Sequence, residues 1–564
     1  MLEKFLPRQD FDSYEDFKKN YTAIVPQGFN FAYDVVDAWA EEQDDKPALA
    51  WMNDESPEVH VFSFGDMKRM SNQAANFFKR QGIRKGDVVM LILKQRVEVW
   101  VCMIALHKIG AIVIPATFLL TKNDISYRAN AASVKMIVAI DDPTIVTHVN
   151  DAMPDSPTVK LRVSVGNSTP DGWLDFRKGT AAESTEWVKP TGDDYAGEHD
   201  TMLIYFTSGT SSHPKMVLHD FTLPIGHIVT AKYWQHVEDG TRHMTASDSG
   251  WAKFAWGKIY GQWICGAVIA AYDDEKFKAA NLLNAIEKLQ LTTFCAPPTI
   301  YRFLIKEDLT KYDFSHIKQC SIAGEPLNPE VYNQWLKMTG LPLVEGFGQS
   351  ETSVLIANFQ PWIPIKPGST GKFSPIFDIE LIKEDGTVAE DGEDGVIVIR
   401  NAEKMRPVGL FREYFKNPES NAVHWKNGDY WTGDMAHRDE DGYIWFVGRN
   451  DDVIKCSGYR ISPFEVESAL MEHPAVLECA VTAADDPVRG QVVKATVVIV
   501  KNRGYEPTPE LVKELQTHVK TSTAPYKYPR IIEFVDALPK SISGKIQRGV
   551  IRKMDIEKSR KGQA

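Results

Sequence analysis

Long apolar runs are missing from this chain. No stretch reaches the roughly 20 residues that a helix needs to cross a bilayer, so no membrane span is expected. The first residues, Met1-Leu-Glu-Lys-Phe-Leu-Pro7, lack the apolar core of a secretory signal. Cysteine is scarce: Cys102, Cys265, Cys295, Cys320, Cys456 and Cys479 are the only six in 564 residues. They form no Cys-x-x-Cys pair and have no His cluster beside them, which argues against a zinc site. Reduced, mostly buried thiols and a cytoplasmic location are expected. Positive charge is not in excess either. The net charge of −12 argues against broad affinity for nucleic acid. Internal repeats and low-complexity tracts are absent, and the ending Ser559-Arg-Lys-Gly-Gln-Ala564 matches no peroxisomal or lipidation tail.

What is present is an ordinary globular balance, 43% apolar and 25% charged, in a chain too long for one core. Two or more domains are therefore expected. Met67, Met70, Ala74, Phe77 and Phe78 recur at helical spacing, with Gly82 ending the helix. Val88-Val-Met-Leu-Ile-Leu93 reads as a strand buried on both faces, Val97 to Ile109 as a helix stopped by Gly110, and Ala111 to Pro115 as the next strand. Repeated β-α-β units imply a parallel sheet covered by helices. Around residues 371–448 the pattern becomes antiparallel, with turns at Asp385-Gly386 and Asp441-Gly442. After Gly448-Arg449 comes a small α/β pattern. Val476 to Val481, Val492 to Val500 and Ile531 to Val535 read as strands, and Pro509 to Val519 as a helix capped by Thr508. The expected fold class is α/β. A large N-terminal domain (1–450) combines parallel α/β subdomains with a β-rich subdomain, and a small mobile C-terminal α+β domain (451–564) follows a hinge at Asp451.

The chemistry concentrates in a few segments. Tyr205-Phe-Thr-Ser-Gly-Thr-Ser-Ser-His-Pro-Lys215 supplies hydroxyls from Thr207, Ser208, Thr210 and Ser211, a close backbone approach at Gly209, and a mobile charge at Lys215. Such a turn suits phosphate oxygens, although it is not a P-loop, and a Ser/Thr-rich surface turn is the plain alternative. Gly324, Glu325 and Pro326 follow the strand Cys320 to Ala323, at the sheet edge where ligands bind. The loop Glu345, Gly346, Phe347, Gly348, Gln349, Ser350 and Glu351 offers a ring for base stacking and a carboxylate for Mg²⁺. Trp431-Thr-Gly-Asp434 places a carboxylate after a tight turn, suited to ribose hydroxyls. Pro539-Lys-Ser-Ile-Ser-Gly-Lys545 presents a lysine on a glycine-containing loop.

In order and spacing these segments resemble the adenylate-forming superfamily, over roughly residues 50 to 550. Asp248-Ser-Gly-Trp251, Ser457-Gly-Tyr459, Glu472-His-Pro-Ala-Val476, Pro487-Val-Arg-Gly490 and Ala524 to Arg530 are similar to the medium-chain acyl-CoA synthetase group. The resemblance implies ATP, Mg²⁺ and coenzyme A. The acid would be activated as acyl-AMP with release of pyrophosphate, then passed to coenzyme A with release of AMP. It implies that residues Thr207 to Lys215 hold the β and γ phosphates, Glu351 assists Mg²⁺, and Lys545 reaches the acid and the α-phosphate. Asp434 and Arg449 would bind the ribose, with Gly324 to Pro326 and Glu345 to Phe347 around the adenine. Rotation about Asp451 would bring Ser457, Gly458, Tyr459 and Arg460 to a pantetheine tunnel. Arg489 and Arg530 would touch phosphates of coenzyme A, or serve as ordinary surface arginines. Serine at Ser212, where glycine is usual, bears on ATP handling.

The acyl pocket corresponds by resemblance to Trp251, Lys253, Trp256 and Cys295. Bulky tryptophans there favour a short- to medium-chain or branched acid, or a flat aromatic one, with Trp256 as the pocket floor. Ordinary core aromatics are the alternative. Transfer to a carrier protein, and a nucleotide-binding regulatory role without catalysis, are the rival readings. Expected partners are the carboxylic acid, ATP and coenzyme A, and the oligomeric state stays open.

Overall fold

The computed structural model describes residues 1–55, 58–207, 214–325, 327–450, 452–456, 459–486, 489–501, 504–541 and 545–562, without the side chains of Arg460 and of 559–562. Two large sheets form the N-terminal bulk. In one, the strands Val88–Ile92, Ile112–Pro115, Met136–Ile140 and Leu161–Val165 run parallel, as the unbroken apolar composition of the first three predicts. Beside Ile112–Pro115 the strand Thr201–Thr207 pairs antiparallel with Lys215–Asp220, a hairpin partner, with Thr207 opposite Lys215. In the other, Pro47–Asn53, Val268–Asp273, Arg242–Thr245, Thr293–Ala296, Gln319–Ile322 and Leu343–Gly348 are parallel neighbours.

The helices start and stop where their residue types dictate. Ser63 and Asp66 make a reciprocal capping box on Phe64–Arg80. Val97–Ile109 ends at Gly110, whose φ of 78° belongs to the left-handed region that glycine enters without penalty. An added Cβ there would lie 2.6 Å from that of Ala196. A third, antiparallel sheet holds Ile379–Ile382, Asp394–Ile399, Asp429–Arg438 and Ile444–Arg449.

The C-terminal region has its own sheet, built on Val476–Asp486, Gly490–Ile499 and Ile531–Phe534, and its own core of Ile454, Val466, Leu470, Val481, Val493 and Leu515. Thr508 caps Pro509–Ser522 through the Leu511 amide, as expected. This unit meets the bulk through the apolar cluster of Val453 with Ile382, Val396, Val398, Met435 and Val447, and through polar contacts. Ser462 Oγ donates to the Val447 carbonyl, and Asn328 Nδ2 lies 3.4 Å from the Ser468 carbonyl. All six cysteines are buried and unbridged. Among the described residues no helix is long and apolar enough to cross a membrane.

Candidate functional site

The site lies where the hairpin, the C-terminal ends of the second parallel sheet and the antiparallel sheet meet. Ser208, Gly209, Thr210, Ser211 and Ser212 lie outside the described residues, as do Pro326, Asp451, Ser457 and Gly458. The two ends of the hairpin are described. Lys215 Nζ sits 4.8 Å over the Tyr414 ring and 3.4 Å from His424 Nε2. Tyr414 reaches it because Glu413–Tyr414 adds a short antiparallel strand to Lys215–Asp220. The Tyr414 hydroxyl donates to Glu351 Oε1 at 2.8 Å, so one tyrosine touches both the lysine and the carboxylate. Ser350 is tied by its carbonyl to His219 Nε2 at 2.7 Å.

Asp434 does not follow a tight turn, as the sequence suggested. It lies inside the strand Asp429–Arg438, at a bulge where Val396 pairs with Met435 but Val398 pairs with Trp431. Gly433, at φ 77°, supplies the backbone conformation that this extra length requires. The bulge turns Asp434 toward Arg449, its cross-strand partner, with Oδ1 3.8 Å from Nε. Gln349 bridges the two motifs. It accepts from Tyr430 Oη at 2.9 Å and donates to the Thr432 carbonyl at 3.0 Å and to Asp434 Oδ2. Burial pushes Asp434 up to about 6, against the opposing pull of Arg449 and Gln349.

A second correction concerns Glu345 to Gly348, which form the end of the strand Leu343–Gly348 rather than a loop. Phe347 is half-buried and its ring packs against Phe446 at 5.4 Å. Glu345 is buried, and loss of solvent pushes its carboxyl up to about 8, while an amide bond from Leu327 acts the other way. The folded chain therefore holds a proton that the unfolded chain releases above 4.5. The contribution of Glu345 to stability therefore falls as pH rises from 4.5 to 8 and levels off beyond. Glu345→Gln is expected to remove that slope, so its melting temperature gains on the unsubstituted protein steadily across this window. Parallel melting curves would refute the assignment.

Lys253 donates to the Ala323 carbonyl, and an added Cβ at Gly324 would lie 2.8 Å from its Nζ. Burial first, with help from the charge of Lys545, draws Lys253 down to about 8. Glu325 accepts from Thr299 Oγ1 at 2.7 Å and lies 3.8 Å from Arg302. The helix Ala252–Lys258, entered through Trp251, carries Trp256 beside Trp234 (5.8 Å) and His227 (6.4 Å). Gly346 packs on Trp234, where an added Cβ would come within 2.3 Å of the indole. Cys295 is fully buried, and burial pushes its thiol up, as for an inert core cysteine.

On the small domain Lys545 is exposed, with its carbonyl accepting from the Ser541 amide at 2.7 Å. Its ammonium acts electrostatically on both Asp434 and Lys253. Tyr459 is 52% exposed and stacks on Tyr526 with centroids 4.2 Å apart. Arg530 and Lys520 both lie over the Tyr528 ring, at 4.9 and 4.0 Å. The Arg489 amide donates to Asp486 at 2.8 Å. Sequence reasoning missed Tyr414, His424, Trp234, Tyr430 and Lys520. None of these stands in a recognisable motif, and each gains meaning only from a neighbour elsewhere in the chain.

A family model described as AMP-binding enzyme matches residues 36–415, and one described as AMP-binding enzyme C-terminal domain matches residues 465–545. The chain is 39% identical over 558 residues to mitochondrial acyl-coenzyme A synthetase ACSM3 of Rattus norvegicus, covering 97% of this chain and 94% of that protein. It is 42% identical over 538 residues to mitochondrial acyl-coenzyme A synthetase ACSM4 of Homo sapiens, covering 94% and 91%. Among solved structures it is similar to an anthranilate CoA ligase in complex with anthranoyl-AMP, with TM-score 0.84 and 25% identity over 95% of this chain and 99% of that one. An acyl-CoA synthetase of Brucella canis gives TM-score 0.72 and 30% identity over 97% and 100%.

Proposed function

Since the chain belongs to the AMP-binding enzyme family, as an AMP-forming acyl-coenzyme A synthetase, we propose that it acts on a short- to medium-chain carboxylic acid, branched forms included. The acid is a poor electrophile because oxide cannot leave. In the first step a carboxylate oxygen attacks the α-phosphorus of ATP, the bond to the β-phosphate breaks, and pyrophosphate departs. Little covalent work falls to the protein, so positioning and charge stabilisation dominate. Lys545 brings the like-charged carboxylate and α-phosphate together, Lys215 holds the terminal phosphates, and Asp434 with Arg449 holds the ribose.

Mg²⁺ suits this donor set. Among the described residues no cluster of three or more His, Cys, Asp or Glu could hold a metal by itself. A lone Glu351 carboxylate, oriented by Tyr414, fits an ion ligated mainly by phosphate oxygens. When bound, the ion offsets charge on those oxygens. In the second step the thiol of coenzyme A attacks the acyl carbon as its thiolate, and AMP leaves. For this the small domain swings about Asp451, withdrawing Lys545 and turning the Tyr459 face inward. Lys520 joins Arg489 and Arg530 as the cationic surface for coenzyme A phosphates, with the Tyr528 ring beneath Lys520 and Arg530.

The observation that carries the reading is the linked set around one cleft: Lys215 on Tyr414, Tyr414 on Glu351, and Gln349 on Asp434. Acid-dependent exchange of pyrophosphate into ATP, then AMP release that requires coenzyme A, tests it. Exchange without coenzyme A-dependent AMP release would sink it. A flat aromatic acid is the second reading, favoured by the indoles of Trp234 and Trp256, against which a planar ring stacks. A panel of linear, branched and aromatic acids separates the two.

A further inference from the structure

Lys215 has two neighbours whose placement goes beyond packing: the Tyr414 ring and His424 Nε2. The tautomer of His424 follows from its other nitrogen. Nδ1 lies 2.7 Å from the Trp431 carbonyl oxygen, which can only accept, so Nδ1 carries the proton. Nε2 then presents a lone pair toward Lys215, whose ammonium donates to it. This arrangement needs a neutral imidazole. His424 is 7% exposed, and burial lowers its proton affinity, with further lowering by Lys215, Arg449 and Lys426. Among the described residues the rings of Tyr414 and Tyr430 also face it, at 5.3 and 6.2 Å.

We propose that His424 and the Tyr414 ring clamp Lys215 and preset its ammonium for the phosphates of the incoming nucleotide, making His424 a positioning residue for adenylation. The inference rests on reading Lys215 as a phosphate-binding group. A lysine side chain loses much rotational freedom when it is fixed, and a preformed clamp meets that cost before ATP arrives. A neutral acceptor orients the ammonium without cancelling its charge. A carboxylate in the same place would form an ion pair that the phosphates must then break. The Trp431 carbonyl belongs to the strand that carries Asp434, so His424 also ties the phosphate end of the cleft to its ribose end.

Pyrophosphate exchange rates and melting temperatures of five variants test the clamp. His424→Phe keeps the ring but removes both the Nε2 acceptor and the Nδ1 donor to the Trp431 carbonyl. It is expected to raise the KM for ATP about tenfold with the KM for the acid little changed, and to lower the melting temperature through the lost Trp431 bond equally with and without Lys215. His424→Gln, with an acceptor near the Nε2 position, should return to within about threefold of the parent. In a Lys215→Ala background, His424→Phe should add less than about twofold, because its partner is gone. Should the Phe ring fail to fit, His424→Met against the isosteric His424→Gln reads the same contrast. An unchanged KM for ATP in the acceptor-free variants overturns the clamp, as does an equal penalty with Lys215 already removed. A Lys215→Ala variant with normal KM for ATP overturns the phosphate reading itself, and the clamp with it.

Discussion

Lys545→Ala is expected to lower acid-dependent pyrophosphate exchange on the order of a thousandfold, since a preorganised charge at developing phosphate charge is among the largest catalytic terms. Transfer of the acyl group from supplied acyl-adenylate to coenzyme A should stay within about threefold of the parent, because no interaction of this lysine is needed there. The reason is geometric. Lys545 is exposed on the small domain, yet its ammonium already acts on Asp434 and Lys253 across the cleft. It is held near that position by the Ser541 amide on its own carbonyl and by the bridge between Lys540 and Ile546. In the proposed mechanism thioester formation would use the opposite face, where Tyr459 stacks on Tyr526. Equal loss of both half-reactions would show that the two faces do not divide the work as proposed.

Trp256→Ala should shift the preferred acid toward longer chains. Each additional buried methylene contributes about 0.8 kcal/mol, so two or three carbons in the vacated space raise kcat/KM for longer acids by roughly 15- to 60-fold. Alanine is the choice because Trp256 stands within the helix Ala252–Lys258, where glycine costs about 1 kcal/mol more. The neighbouring Trp234 and His227 remain to line the enlarged space. The shortest acids lose packing and should react less well. Measuring kcat/KM along a series of linear acids decides the matter. An unaltered profile would place Trp256 in ordinary core, as its contact with Trp234 alone would allow.

Much of the architecture was legible from local pattern. Val88–Ile92 and Met136–Ile140 are apolar at every position, which only a strand covered on both faces requires. The helix from Val97 to Ile109 and its stop at Gly110 follow from periodicity and from a glycine that can adopt positive φ. Where local reading failed, pairing was the cause. Trp431-Thr-Gly-Asp434 has the composition of a turn, but cross-strand bonds to Asp394–Ile399 and Ile444–Arg449 hold it in a sheet as a bulge. Glu345 to Gly348 likewise carries loop residues but is recruited into strand by pairing with Val354–Ala357.

The sequence alone determined the plan of parallel α/β subdomains with an antiparallel one, the hydroxyl-rich segment ending at Lys215, and the carboxylates of Glu351 and Asp434, because composition and short-range spacing encode elements and reactive groups directly. Only the tertiary structure decided who holds whom. Tyr414 meets Glu351 across 63 positions, Gln349 meets Asp434 across 85, and His424 meets Lys215 across 209. Such pairs carry no periodic signature. They exist because strand addition at Glu413–Tyr414 and a bulge at Gly433 bring separate segments to one cleft, where burial raises the Asp434 carboxyl and lowers the proton affinity of His424.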